Sequence, residues 1–501
     1  MNAFSRWFLV LSVFLLIFIR LDSQTKFNFS IGFKMEDNPV LINNVNAIQD
    51  GEEFVCMLPE PVNVGRLIAE FSVEKEIDVY VNGVKQQSKI SENDFNQKVT
   101  YTLKHRATGE EQLFIVKVVI FTGLPIIRIE TEKNRTIVDR VVYLNAAFDS
   151  YAGKIGSEFS YTGPVKIRGR GNTTWRFPKK PYKLKFSEKV GLLGMPPSDE
   201  WVLLANYIDY SLLRTSTAFF MSRFLGMPYT VRSVPVELFV NGEHRGVYQL
   251  CEQVMVAPNR VPAGDQGFFL EIDSYVRVAE RKAPYFTTDK LNEYSRSGED
   301  LGSVFVYQKT ASPTFADSTS IINYVRKTEK AIYSDNFTSL DSGYRAYIDV
   351  ESFINWYLVN EVSLNNDAAF FSSVYFYKPV DGKLFIGPVW DYDMAFGLYE
   401  LKHDNKWKIK NSPWIDRLFD DRYFVDKLKE RWVYLYTNRQ KILDFIDSSA
   451  EELKYSQAKN HAIWLSTYKS EQTSDYSKAV KDLKDFIINR MEWLNVAIMD
   501  L

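Results

Sequence analysis

The stretch from Asp349 to Gly397 constrains this chain most. Phe353, Ile354, Trp356, Tyr357, Leu358 and Val362 make a helix that is apolar around nearly its whole circumference, with Asp349 as its N-cap. Such a helix must be buried on all sides, and a chain of 501 residues is long enough to build the core around it. It leads into Asn365-Asn366-Asp367. Two strands follow, Val374 to Lys378 and Lys383 to Ile386, joined at Asp381-Gly382, and they run into Gly387-Pro388-Val389-Trp390-Asp391-Tyr392-Asp393. This order sets Asp367 and the Asp391/Asp393 pair at the ends of adjacent elements. An acid-x-acid pair after a strand suits a hard cation such as Mg2+, which takes oxygen from one or two carboxylates and the rest from phosphates and waters. Asp-x-Asp also occurs in surface loops, turns and sugar transferases. Here Pro388, Trp390, Ala395 and Phe396 surround the acids with apolar chain, and buried acids need a partner or a metal.

A second constellation lies upstream. Lys166-Ile167-Arg168-Gly169-Arg170-Gly171-Asn172-Thr173-Thr174-Trp175 is followed by Lys179-Lys180-Pro181-Tyr182-Lys183-Leu184-Lys185. The glycines let backbone N–H groups approach phosphate oxygens, Asn172, Thr173 and Thr174 add polar groups, and Arg168 and Arg170 neutralise charge. The set suits a nucleoside triphosphate, yet it is neither a P-loop nor the usual glycine-rich kinase loop, and a hairpin turn with a solvated basic face uses the same residues. Glu252-Gln253 ends an apolar strand and offers an acidic partner for one of these lysines, as kinases pair a Lys with a Glu. With four His in the chain and none in these segments, and with no Gly-x-Ser-x-Gly or zinc-type pair, Ser-His-Asp hydrolysis is disfavoured.

Around these motifs the chain divides by pattern. Arg6 and the apolar run Trp7 to Ile19, interrupted by Ser12 and ending near Ser23, read as a secretory signal over residues 1–23; the alternative is an uncleaved anchor. Residues 24–124 read as short alternating strands with tight turns at Asn82-Gly83, which predicts a small immunoglobulin-like β-sandwich. Thr122 to Pro125 reads as a linker. Residues 125–400 are mixed α and β, with a helix over Ser211 to Leu225 closed by Gly226 and a hairpin at Asn241-Gly242. Residues 401–501 read as a helical subdomain of the same domain, giving an α+β class overall. Cys56 and Cys251 fall in different domains, so no disulfide is expected, and the net charge of -2 excludes a strongly basic nucleic-acid surface. Sequons at Asn28, Asn134, Asn172 and Asn336 matter only in a eukaryotic source.

Four blocks, in order and spacing, resemble the CotH kinase family. They are Arg168 to Trp175 with Lys179-Lys180-Pro181-Tyr182, Trp201 to Tyr207 with Leu213-Arg214, Gly246-Val247-Tyr248 with Glu252-Gln253, and Gly387 to Asp393. The resemblance spans about Pro125 to Gly397 and extends into the helical tail. It implies an atypical protein-kinase-like fold that binds ATP and Mg2+ or Mn2+ and phosphorylates Ser, or Thr, of secreted or surface proteins. By position it implies Asp367 as the catalytic acid, Asp391 as the metal ligand with Asp393 beside it, and Lys180 with Glu252 as the phosphate-binding pair, Lys179 and Lys183 being the alternatives to Lys180. Many members carry an Asn shortly after the catalytic Asp, where this chain has Ser372-Ser373. Two other readings remain open: a surface binding protein or adhesin with an inactive kinase-like domain, and a metal-dependent glycosyltransferase. No nucleic-acid partner and no membrane span after signal removal are expected.

Overall fold

The computed structural model describes residues 27–501 except 40, 42–43, 51–52, 60–62, 293–300, 309–314, 399–404, 465–466 and 468–474. The signal expected over residues 1–23 lies outside the described residues. Two compact units divide the chain. The first holds the described residues up to Arg128, with Asp149–Thr162 and Leu192–Gly194; the second holds Ile129–Phe148, Gly163–Gly191 and Met195–Leu501.

The first unit is all β among its described strands. β1 (Phe29–Phe33), β2 (Val45–Asn46), β5 (Leu67–Val73) and β8 (Glu92–Asn93) form one sheet in the order β2-β1-β5-β8. β3 (Ile48–Asp50), β4 (Glu53–Pro59), β6 (Ile77–Val81), β7 (Val84–Lys85), β9 (Val99–His105) and β10 (Glu111–Phe121) form the other, in the order β3-β4-β10-β9-β6-β7. Period-two alternation turns one face of each sheet inward. Phe29 meets Phe54 and Phe114 there, with ring centroids 5.2 Å apart in each pair. Asn82 and Gly83, with φ of 48° and 77°, make the mirror-type turn that matches strand twist.

A closed barrel comes next, drawn mostly from the second unit. Its strands are β11 (Ile126–Thr131), β12 (Leu144–Tyr151), β13 (Tyr161–Gly169), β14 (Tyr182–Leu192), β15 (Met195–Leu204), β16 (Ser233–Val240) and β17 (Glu243–Glu252), ordered β11-β12-β13-β14-β15-β17-β16. Helix α1 (Arg214–Phe224) interrupts them after β15 and ends at Gly226, whose φ of 70° fits a left-handed C-terminal residue. A five-stranded sheet follows, β19 (Tyr285–Leu291), β20 (Gly302–Tyr307), β18 (Phe268–Ile272), β21 (Val374–Lys378) and β22 (Phe385–Ile386) in that spatial order. α2 (Tyr275–Arg281) and α3 (Phe315–Ile332) lie between its strands in sequence.

The helix anticipated at Asp349 is α4 (Val350–Ser363), and every residue from Ser352 to Ser363 is buried. Asp349 caps it, its side chain accepting from Ser352 N at 2.8 Å. Phe305, Phe370, Phe376 and Trp414 form a ring cluster on the sheet, with Trp414 5.8–6.0 Å from the other three. The remainder is helical: α5 (Ile415–Leu418), α6 (Arg422–Thr437), α7 (Gln440–Glu452), α8 (Lys454–Trp464) and α9 (Tyr476–Met499). Cys56 and Cys251 are buried and unpaired, as the spacing predicted. Among the described residues no helix is long and apolar enough to cross a membrane.

Candidate active site

The glycine-rich segment is the connection between β13 and β14. These strands pair Arg168 with Lys183 and Gly169 with Tyr182, and Arg170 N donates to Pro181 O at 3.1 Å, so the loop leaves the barrel on a fixed base. Glycine is required at its tip: Gly171 has φ of 83°, and a Cβ there would lie 2.1 Å from Thr174 Oγ1. A Cβ on Gly169 would lie 2.3 Å from the Trp175 ring. Arg140 braces the tip, donating to Gly171 O at 2.8 Å and to Asn172 Oδ1 at 3.2 Å.

Helix α4 ends at Leu364, whose φ of 48° turns the chain toward Asn365-Asn366-Asp367. Asn365 Oδ1 accepts from Asp367 N, and its Nδ2 donates to Asp391 O, both at 3.3 Å. This amide therefore ties the Asp367 loop to the acid pair. Asp391 sits at φ of 70°, a strained setting for a side-chain-bearing residue, and Ser373 Oγ lies 3.4 Å from its Oδ2. Tyr392 points the other way and donates to Asn360 Oδ1 at 2.6 Å on α4. Alternation along the segment thus anchors the middle residue in the core and leaves its two acidic neighbours for the site.

Asp391 and Asp393 line an open cleft with Arg170, Thr174, Asn206 and Trp390. The Arg170 guanidinium stands 5.5 Å over the Trp390 ring, which itself stacks on Phe219 of α1 at 6.0 Å. Burial, then the charges of Asp391, Asp209 and Asp367, push the Asp393 carboxyl well above its ordinary range. Burial also raises Asp391, opposed by Arg170 and Arg277; Asp391 is exposed to water in the cleft, which screens part of this effect. Such crowded carboxylates are what a divalent cation relieves, and Asn366 Oδ1 is a buried acceptor with no hydrogen-bond partner among the described residues. Among the described residues no three His, Cys, Asp or Glu side chains form a metal-holding group by themselves. Mg2+ does not need one, because phosphates and waters complete its shell. The donors present fit a metal nucleotide.

The other residues singled out in the sequence are placed as follows. Thr174 lines the cleft, while Asn172 and Thr173 are exposed at the loop tip. Arg168 donates to Arg140 O and stacks 5.0 Å over Tyr143. Lys180 and Glu252 are not brought together. Lys180 Nζ donates to Trp175 O at 2.7 Å, beside a surface depression that also holds Tyr182 and Arg245. Glu252 is buried and is taken by Arg232 at 2.8 Å, by Tyr229 Oη at 3.0 Å and by Arg232 N at 3.0 Å. Lys183 pairs with a different carboxylate, Glu200, at 2.7 Å. Lys179 lines the cleft but is buried; its Nζ donates to Val247 O and to Asn460 Oδ1, and burial lowers it to about 7.

Sequence reasoning missed three features. Asp209 accepts from Ser211 N at 3.0 Å and pairs with Arg214, whose Nε reaches Ala395 O at 3.1 Å, bracing the acidic segment from α1. Arg214 and Asn206 stood in the recognisable blocks without a role. Asp273 and Arg277 lie on β18–α2 chain that carried no motif.

Comparison with known proteins agrees with the blocks. The family described as CotH kinase protein matches residues 167–494, well over half of the chain. This chain belongs to the CotH kinase family. Its matched span runs from β13 into α9, so the helical tail is part of the CotH region. No curated protein matches. Among solved structures, a candidate glycoside hydrolase from Bacteroides thetaiotaomicron is 12% identical, with a TM-score of 0.16, over 52% of this chain and 61% of that one. So weak a superposition carries no argument about fold or activity.

Proposed function

We propose that this CotH family member is a phosphotransferase that moves the γ-phosphoryl group of ATP, bound with Mg2+ or Mn2+, to Ser or Thr hydroxyls of proteins outside the cytoplasm. The observation that carries the reading is one cleft in which Asp391 and Asp393 face the glycine-loop residues Arg170 and Thr174. Family membership supports a kinase-like activity. The apolar run Trp7 to Ile19 supports export.

The roles follow from charge and position. Asp391 and Asp393 would hold the cation, which would neutralise phosphate charge. Arg170, fixed on Trp390, offers two parallel donors to a phosphate. Thr174 Oγ1 and the glycine-loop N–H groups supply neutral donors along the same wall. Asp367, whose charge reaches Asp393, would accept the proton of the attacking hydroxyl and aim it. Asn365 keeps that loop in register with Asp391. Kinases of this logic depend on positioning and electrostatics rather than on a covalent intermediate.

Calorimetric titration with ATP and Mn2+, set beside a uridine diphosphate sugar, tests the reading. ATP binding with no sugar-nucleotide binding, weakened about tenfold or more by Arg170→Ala, is the expected outcome. Preference for the sugar nucleotide would favour a glycosyltransferase, and binding of neither by folded protein would favour an inert surface protein.

A further inference from the structure

Protein kinases commonly hold two divalent ions, one on the metal-binding Asp and one on an Asn of the catalytic loop. Here the loop after Asp367 carries Ser372 and Ser373, and both hydroxyls are committed. Ser372 Oγ lies 2.9 Å from Asp273 Oδ1 and 2.5 Å from Arg277, while Ser373 Oγ lies 3.4 Å from Asp391 Oδ2. The Arg277 guanidinium is held in turn by Asp273 at 3.4 Å and stacks 5.5 Å over Phe371. Its side chain is 24% exposed, so it is fixed at the loop yet partly open to solvent. Asp273 also pairs with Arg281, so one carboxylate is shared by two guanidinium groups and positive charge is left over. Ser373, next to Ser372, joins this group to Asp391.

Resting on the phosphotransferase reading above, we infer that Arg277 takes the electrostatic place of a second divalent ion, so that this site works with one ion per nucleotide. A neutral hydroxyl already bonded to its neighbours is a poor ligand for a hard cation. A fixed guanidinium repels a further divalent ion and supplies part of the charge that ion would bring. Arg277 is a positioning residue: it acts through Asp391 and through Ser372.

Mn2+ binding, counted by the loss of its free paramagnetic signal, tests this with and without a non-hydrolysable ATP analogue. The wild type is expected to bind one ion per analogue. Arg277→Met, which keeps volume and removes charge, is expected to bind Mn2+ on the order of tenfold tighter, as a unit charge several ångströms away at an intermediate dielectric dictates, or to admit a second ion. Arg277→Lys should behave as wild type, and Arg281 still pairs with Asp273 in both variants, so thermal melts check the fold. Two ions per analogue in the wild type, or an Arg277→Met variant with unchanged count and affinity, would overturn the inference. If folded protein binds no analogue, the kinase reading fails instead, and the Mn2+-alone comparison still decides the role of Arg277.

Discussion

Arg490→Met strips the guanidinium from a buried ion pair that supports the helix delivering Asp367. Arg490 Nη2 lies 2.7 Å from Glu361 Oε1, with the two side chains 2% and 0% exposed. Glu361 also accepts from the backbone N–H groups of Lys408, Ile409 and Lys410 at 2.8–2.9 Å. Removing one partner leaves a buried carboxylate that three N–H groups only partly compensate, which costs about 3–5 kcal/mol. The second unit holds about 350 residues, and unfolding entropy of ~2.1 cal/mol/K per residue makes ~0.7 kcal/mol/K, so Tm should fall by about 4–7 °C. Burial raises the folded-state pKa of Glu361 against the pull of Arg490 and the N–H groups, and removing Arg490 raises it further. A raised carboxyl contributes stability that is present below its unfolded pKa and lost as pH rises through the folded one. The deficit of the variant should therefore be larger at pH 8 than at pH 5. Thermal unfolding followed by circular dichroism at both pH values reads this. A loss under about 1 kcal/mol, or a gap that does not change with pH, would refute the reasoning.

Gly171→Ala places a Cβ against Thr174 in a left-handed backbone; nucleotide affinity should fall about tenfold while the melting curve moves little, since the strain is local to the loop, and an unchanged Kd would remove the loop from the site. Lys180→Ala should leave nucleotide affinity within about twofold, because Lys180 serves Trp175 O, whereas a loss comparable to that of Arg170→Ala would restore it as a phosphate ligand. Lys179 has its folded pKa lowered to about 7 from 10.5 by burial, so the unfolded chain binds more protons between these values and stability should rise with pH across that window. Denaturant melts of wild type against Lys179→Met should show that slope only in the wild type; equal slopes would mean that Lys179 stays charged in the fold.

What could be read from the sequence was mainly local. The Asp349 cap, the all-round apolar helix and the turns at Asn82-Gly83 and Asn241-Gly242 each rest on a few neighbouring residues, and each formed. The acidic segment after β22 was legible because Asp391 and Asp393 follow a strand and are flanked by apolar Pro388, Trp390, Ala395 and Phe396. Which lysine meets which carboxylate was not legible, since it depends on contacts between residues distant in sequence. Glu252 lies within reach of Arg232 because β16 and β17 pair Ser233 with Cys251. Lys183 lies on β14, whereas Lys180 precedes the strand and is held at Trp175 O. Arg277 escaped notice because α2 spans seven residues, too few for an amphipathic period to declare itself. The sequence boundary at 124–125 also could not foresee that residues 149–162 and 192–194 would pack with the first unit, because strand-end placement in a barrel is a tertiary property.

The most direct test is transfer of labelled γ-phosphate from ATP with Mg2+ or Mn2+, using the purified chain, a casein-like acceptor and the chain itself, beside Asp367→Asn and Asp391→Ala. Transfer by the wild type, reduced by a factor of about a hundred or more in each variant with melting temperatures preserved, is the predicted result. No transfer by folded wild-type protein, or transfer that survives both substitutions, would contradict a phosphotransferase built on these two acids.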